Sequence, residues 1–238
     1  MAVRVISKIK KITPSFFQEA YSVSQKHCQI FEQLFSLFQE ENKKINLSSL
    51  KIEKEIWEKH FYDSLLAAEF LEKENKILDL GSGGGFPLLP LAIIFPQKTF
   101  FSIESVQKKC RVLEKFCQIL KLKNVHILAQ RAEQLAFKKD LREQFDCVTA
   151  RAFAPFSPLL EIALPFLKIK GKLISFRSSK KIGHEKKLID FFEAKLSKIV
   201  FKKLPRGDKR ELWIIEKQKV SPVKFPRKSG IPQKRPFN

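Results

Sequence analysis

No C-x-x-C pair occurs in the 238 residues: Cys28, Cys110, Cys117 and Cys147 stand apart. That excludes a zinc knuckle and a dithiol redox motif, and it matches the reduced cysteines of a cytoplasmic protein. His27, His60, His126 and His184 show no metal-ligand spacing, so no metal is expected. Long apolar runs are missing too. The most apolar stretch, 86–96, is short and holds Pro87, Pro90 and Pro96, so no transmembrane helix is expected. The opening "MAVRVISKIKKITPSFF" is broken by charge every few residues and offers no signal-peptide core. Acids are scarce, 25 against 46 Lys and Arg, giving a net charge of +21. The tail 219–238 has six basic residues and no acid, so the body still carries +15. Such a balance favours a polyanion, nucleic acid before an anionic membrane surface. Arg227, Lys228, Lys234 and Arg235 in the tail are candidate RNA-phosphate contacts.

What is present is a core and a rhythm. Hydrophobic residues make up 44%, enough for one good-sized domain with an elaboration at either end. No repeat or low-complexity block interrupts it. Residues 1–75 read as a helical N-terminal extension. Ile30, Phe31, Leu34, Phe35, Leu37 and Phe38 recur at helical spacing, as do Ile56, Trp57, Phe61, Leu65 and Leu66 further on. From 76 to 218 short apolar strands alternate with helices. Strands are expected at 76–80, 99–105, 124–130, 145–150, 171–177, 198–204 and 211–217, with the last helix at 181–197. Strand–helix alternation implies a doubly wound, mostly parallel sheet. The final two strands are joined only by "PRGDKR" and must be antiparallel neighbours. A parallel sheet closed by such a hairpin is the methyltransferase variant of the Rossmann plan.

Half of the eight glycines fall within Gly81–Gly85, in "ILDLGSGGGFPLLPLAI" (77–93). A strand that ends in a bare turn and opens a helix presents N–H groups and room for a ligand to touch backbone. A dinucleotide loop wants a sixth-position glycine, where this chain has Phe86, and a Walker A loop wants G-K-[ST], which is absent. Asp79 followed by Gly81, Gly83 and Gly85 suits a ligand without pyrophosphate, and S-adenosylmethionine fits. Gly85 is expected where backbone approaches the ligand. Glu104, about twenty residues on, can accept from both ribose hydroxyls, or else cap the next helix. Ala132 and Glu133 follow strand three, where an adenine would rest. Arg151 and Phe153 end strand four, facing the cleft. An arginine there needs an anion, within the chain Glu133 or Asp79, or else a ligand's.

These stretches, with "NLSSL", "HFYDSLLAAEFL", "ESVQKKCRVLEKF", "AQRAEQL", "FDCVTARAFAPF" and "FPRKSGIPQKRPF", resemble the ribosomal small-subunit methyltransferase G family, also called glucose-inhibited division protein B. The resemblance spans nearly the whole chain. It implies a class I methyltransferase fold and an S-adenosylmethionine-dependent enzyme acting on N7 of a guanine in 16S ribosomal RNA, as naked RNA or 30S particle. It also implies cofactor contacts from Gly81, Phe86, Ala132 and Glu133, with Arg151 beside the reaction centre. The family's loop usually has Pro where this chain has Gly84 and Gly where it has Leu88.

Other chemistries fit less well. A cytosine C5 enzyme needs a cysteine nucleophile, usually after Pro, and no Pro-Cys occurs. Amine methylation uses a D/N/S-P-P-aromatic loop where this chain reads "RAFAP". His60 and Asp63, at i and i+3, share a helix face and read as a structural pair. The other class to weigh is a non-catalytic RNA-binding assembly factor on the same fold, separated from the enzyme by its failure to bind the cofactor. A monomer is expected.

Overall fold

Lys76–Leu80, as β1, is an interior strand of a seven-stranded sheet, with Ile77, Leu78 and Leu80 fully buried. In the computed structural model, which describes Phe17 and residues 23–178 and 185–237, the other strands are β2 Thr99–Ile103, β3 Val125–Leu128, β4 Phe145–Arg151, β5 Leu167–Arg177, β6 Ala194–Lys203 and β7 Lys209–Lys217. The strand order is β3-β2-β1-β4-β5-β7-β6. β1 to β5 run parallel, and β7 is antiparallel to both β5 and β6. The chain steps from β1 out to β3 and returns to β4 on the other side of β1. Between β1 and β4 lies the switch point, where ligands of such sheets bind.

One face of the sheet carries the N-terminal elaboration. Helix α1, Gln25–Ile45, starts at a reciprocal cap between Ser24 and His27. It buries Phe31, Leu34, Phe35 and Phe38. Glu53–Ile56, Trp57–Tyr62 and Asp63–Leu65 continue into one another as α2; the middle turn is wide, the Asp63 N–H reaching Glu58 O. The elaboration shares one core with Phe86, Leu89, Leu113 and Phe116 behind the glycine loop. The ring of Phe38 lies 2.8 Å from where a Gly84 side chain would begin, so α1 seats on the position where the family usually has Pro. Apart from Phe17, the expected helical stretch 15–22 lies outside the described residues.

The remaining helices are α3 Leu88–Ile94, α4 Gln107–Ile119, α5 Ala132–Leu135, α6 Phe156–Ala163, α7 Glu185–Phe191 and α8 Ile231–Lys234. The expected helix 181–197 is shorter: its 181–184 portion lies outside the described residues, Glu193 turns left-handed at φ 51, and β6 begins at Ala194. Within β6, Lys195, Lys198 and Lys203 charge the sheet edge, which protects it from pairing with another chain. Cys28, Cys110 and Cys147 are buried and Cys117 half-buried; burial pushes the Cys117 thiol up to about 12.

The tail is no loose arm. Arg142 donates to the carbonyls of Ser221 (2.9 Å), Pro222 (3.1 Å) and Phe225 (3.0 Å). Arg227, expected at RNA, is engaged inside the protein. Its Nε, Nη2 and backbone N–H all reach the fully buried carboxylate of Glu161, at 2.9, 2.7 and 2.8 Å. The side-chain bond from Glu161 holds the guanidinium above its ordinary pKa. Lys228, Lys234 and Arg235 are exposed.

Candidate functional site

The loop after β1 is built differently from an anion cradle. The expected N–H groups are spent internally: Gly81 N on Ile103 O (2.8 Å), Gly83 N on Glu104 Oε2 (3.1 Å), Gly85 N on Ser82 O (2.7 Å). That leaves little to hold a phosphate and agrees with a ligand lacking one. Gly81 sits at φ +69 with Phe153 Cδ2 2.7 Å from a built Cβ, so Phe153 covers it. Gly85, at φ +95, faces inward instead. A Cβ there meets Leu89 Cδ1 at 2.5 Å and Leu113 at 3.1 Å, so Gly85 packs the loop against α3 and α4. Gly85→Ala is therefore expected to cost about 2–4 kcal/mol of stability, from left-handed strain and overpacking. Urea unfolding checks it; an unchanged midpoint would show that Leu89 yields freely.

Phe86 is buried as well. Its ring stacks on His60 at 4.5 Å and 11°, with Phe38 and Phe61 edge-on. With the ring in the core, a cofactor contact at Phe86 would have to come from its backbone.

Two cavities flank Phe153. The smaller, about 230 Å³, is bounded by Gly81, Gly83, Glu104, Ala132, Glu133 and Phe153. The larger, about 750 Å³, is lined by Lys59, His60, Arg151, Phe156, Arg177 and Arg210. Ala152 and Phe153 line both, and Ala152 holds φ 52, an uncommon left-handed residue that turns the chain at the switch point. Glu104 accepts from the N–H of Val106 (2.8 Å) as well as of Gly83, so it ties the glycine loop to the turn before α4, while α4 itself has no side-chain cap. Glu133 accepts from Gly230 N (3.0 Å).

Asp79 is buried beneath the loop. Thr149 Oγ1 donates to its Oδ1 (2.7 Å), while its Oδ2 has no hydrogen-bond partner among the described residues. Burial pushes its pKa up to about 6 against the pull of the Ser82 and Thr149 hydroxyls. A ligand cation at that oxygen would return the charge, so the site fits a cofactor with an ammonium group.

In the larger cavity Arg151 finds neither Glu133 nor Asp79 as its hydrogen-bonded partner. The fully buried Asp63 comes from α2 instead. Arg151 Nη1 reaches Asp63 Oδ2 (3.2 Å) and Lys59 O (2.6 Å), and Nη2 contacts His60 Nδ1 (3.0 Å). Arg210 of β7 binds the same carboxylate through Nε (2.6 Å) and Nη2 (3.0 Å). Since a guanidinium only donates, His60 Nδ1 accepts and the ring proton lies on Nε2, donated to Ser48 Oγ at 2.9 Å. Burial, then the charge of Arg151, lowers the His60 pKa to about 3. The wide turn of α2 is what brings Lys59 O, His60 and Asp63 to one arginine.

Two further arginines, Arg210 and Arg177, stand at the larger cavity. In the sequence Arg210 is part of the "PRGDKR" hairpin link. Arg177, against Phe156 and Trp213 at 4.5 Å from each ring and paired with Glu185, ends β5 as Arg151 ends β4. That shared position beside the switch point was the available signal.

A switch-point cavity beside a glycine loop, in a sheet closed by an antiparallel hairpin, defines a Rossmann-like methyltransferase fold. Solved structures share it: an O-methyltransferase from Bacillus cereus (TM-score 0.57, 12% identity, covering 87% of this chain and 98% of that one) and a SAM-dependent methyltransferase from Aquifex aeolicus (TM-score 0.55, 16% identity, 72% and 97%). The chain belongs to the rRNA small subunit methyltransferase G family, which it matches over residues 27–212. Curated relatives of that name include proteins from Streptococcus pyogenes serotype M6 (41% identity over 92% of this chain and 95% of the relative) and Streptococcus suis (43% over 90% and 92%).

Proposed function

We infer that this chain transfers a methyl group from S-adenosylmethionine to N7 of a guanine in 16S ribosomal RNA of the small subunit. Family membership supports the reaction class and the RNA. The observation that carries the site is the pair of cavities sharing Ala152 and Phe153, one of cofactor character and one basic and roomy. On this reading Asp79, Gly81, Gly83, Glu104, Ala132 and Glu133 hold the cofactor, whose sulfonium supplies an electrophilic methyl. No described helix is long and apolar enough to cross a membrane. The reading places the chain in the cytoplasm as a monomer.

N7 of a neutral guanine carries a free lone pair, so no proton must leave before attack. The chain's task is alignment of a splayed base against the methyl donor. His60, neutral and hydrogen-bonded at both nitrogens, fits a positioning role and not acid–base work. Arg151 is held rigid by Asp63, and two guanidiniums sharing one carboxylate leave a net positive charge for an RNA phosphate or the cofactor carboxylate. Phe153 or Phe156 can stack on the base. Exposed Lys228, Lys234 and Arg235 remain candidate phosphate contacts; Arg227 does not.

The test is tritium transfer from labelled cofactor to naked 16S RNA and to 30S particles, followed by mapping of the modified base. Label on a guanine with the strand-cleavage chemistry of N7 methylation is expected. Failure to bind cofactor would favour an assembly factor instead.

Asp79 adds a pH dependence. Below about 6 it is protonated in the free protein. Pairing with the cofactor ammonium lowers its pKa, so binding releases a proton and affinity should rise from pH 5 to about 6, then level. Asp79→Asn should flatten that profile. Calorimetry in two buffers of different ionisation enthalpy reads both; a flat profile in the parent chain would remove Asp79 from the site.

A further inference from the structure

One wall of the smaller cavity comes from outside the sheet and its connections. Gln233, in α8, lines it together with Ala132 and Glu133. The segment that carries Gln233 is fastened on both sides. Upstream, Phe225 is buried and Arg227 is locked onto Glu161. Downstream, Phe237 packs against Phe191 (5.0 Å), Phe192 (5.7 Å) and Phe225 (5.8 Å), and the Arg227 guanidinium lies 4.0 Å from its ring. Between them Gly230 turns left-handed at φ 82 and gives its N–H to Glu133 Oε1, and Pro232 is buried. Lifting α8 away would expose the aromatic cluster and strip a buried carboxylate, so the helix stays at the cavity. Gln233 itself is exposed, and its amide makes no hydrogen bond among the described residues.

We propose that Gln233 is a ligand-binding residue that reads the adenosine end of the cofactor, and that residues 225–237 form a wall of the cofactor site. The proposal rests on the cavity being the S-adenosylmethionine site. The adenosine end follows from the neighbours. Glu104 leaves β2 and Ala132 and Glu133 leave β3, where ribose and base lie in switch-point sheets. Asp79 and Arg151, suited to the charged amino-acid part, lie on β1 and β4. A carboxamide offers both donor and acceptor, which suits a purine edge or a ribose hydroxyl. Its backbone is fixed by the anchors, so a hydrogen bond there orders only the side chain.

Calorimetry on the full chain with S-adenosylhomocysteine and with methylthioadenosine, which lacks the amino-acid part, tests this. Gln233→Ala should weaken both ligands about fivefold, the worth of one net hydrogen bond, with the ligand-free melting temperature unchanged. Gln233→Glu, which keeps the size but loses the donor, should move affinity in the same direction. Amides of 228–236 should gain protection from hydrogen exchange when S-adenosylhomocysteine saturates the parent chain. Equal affinities in parent and both variants, or a loss seen for S-adenosylhomocysteine alone, would overturn the role of Gln233. A parent that binds neither ligand would remove the cofactor reading and this proposal together, whereas a parent that binds both beside unaffected variants removes only the proposal.

Discussion

Arg227→Ala is expected to lower the free energy of unfolding by about 3–5 kcal/mol, because it leaves a carboxylate buried without its counter-charge. Glu161 is fully buried on α6 and draws two of its three hydrogen bonds from that guanidinium. Only the backbone N–H would remain. Removing both charges, as Glu161→Leu with Arg227→Leu, should recover much of the loss, since an apolar pair of similar size avoids the desolvation cost. Urea unfolding of the single and double variants measures it. A single variant within 1 kcal/mol of the parent would mean that the tail is not held by this pair. Truncation at residue 219 has the same consequence on a larger scale: it removes Arg227, Phe225 and Phe237 at once. Loss of RNA affinity in such a truncation would report unfolding before it reported phosphate contacts.

Asp63→Ala should act on stability and chemistry together. The carboxylate is fully buried and bridges Arg151 and Arg210, so its loss sets two half-buried guanidiniums against each other, at about 3 kcal/mol. The Arg151 fork would then lose its fixed position, and an Ångström-scale misplacement can cost about 10²-fold in rate. Single-turnover methyl transfer at saturating cofactor, beside urea unfolding, reads the two effects. Arg210→Leu in the Asp63→Ala background should restore stability while leaving the rate low. A rate that recovers with stability would show that Asp63 serves only the fold, and that Arg151 needs no fixed geometry.

Much of this was local enough to be legible in the sequence. Alternation of strands and helices gave the sheet, because period-2 and period-3.6 burial are properties of a few adjacent residues. The short "PRGDKR" link forced β6 and β7 antiparallel. The glycine loop, Glu104 and Ala132–Glu133 were recognisable because each sits at the end of a strand, and strand ends converge at the switch point. The end of α7 is not legible in the sequence, since a half-exposed Lys-rich edge strand carries no clear period.

What the sequence by itself determined was therefore the sheet, its hairpin and the set of loops that meet at one end. Only the tertiary structure decided which side chains are free for a ligand and which are consumed by the fold. Gly85 and Phe86 look like ligand contacts in the motif, yet they face Leu89 and His60. Arg227 looks like an RNA contact, yet it neutralises Glu161, 66 positions away in the chain. Arg151 is paired by Asp63, 88 positions upstream. Such pairings depend on distances between elements that no local pattern encodes. A charge inside a protein is placed by the opposite charge that packing brings to it, and that partner can come from anywhere in the chain.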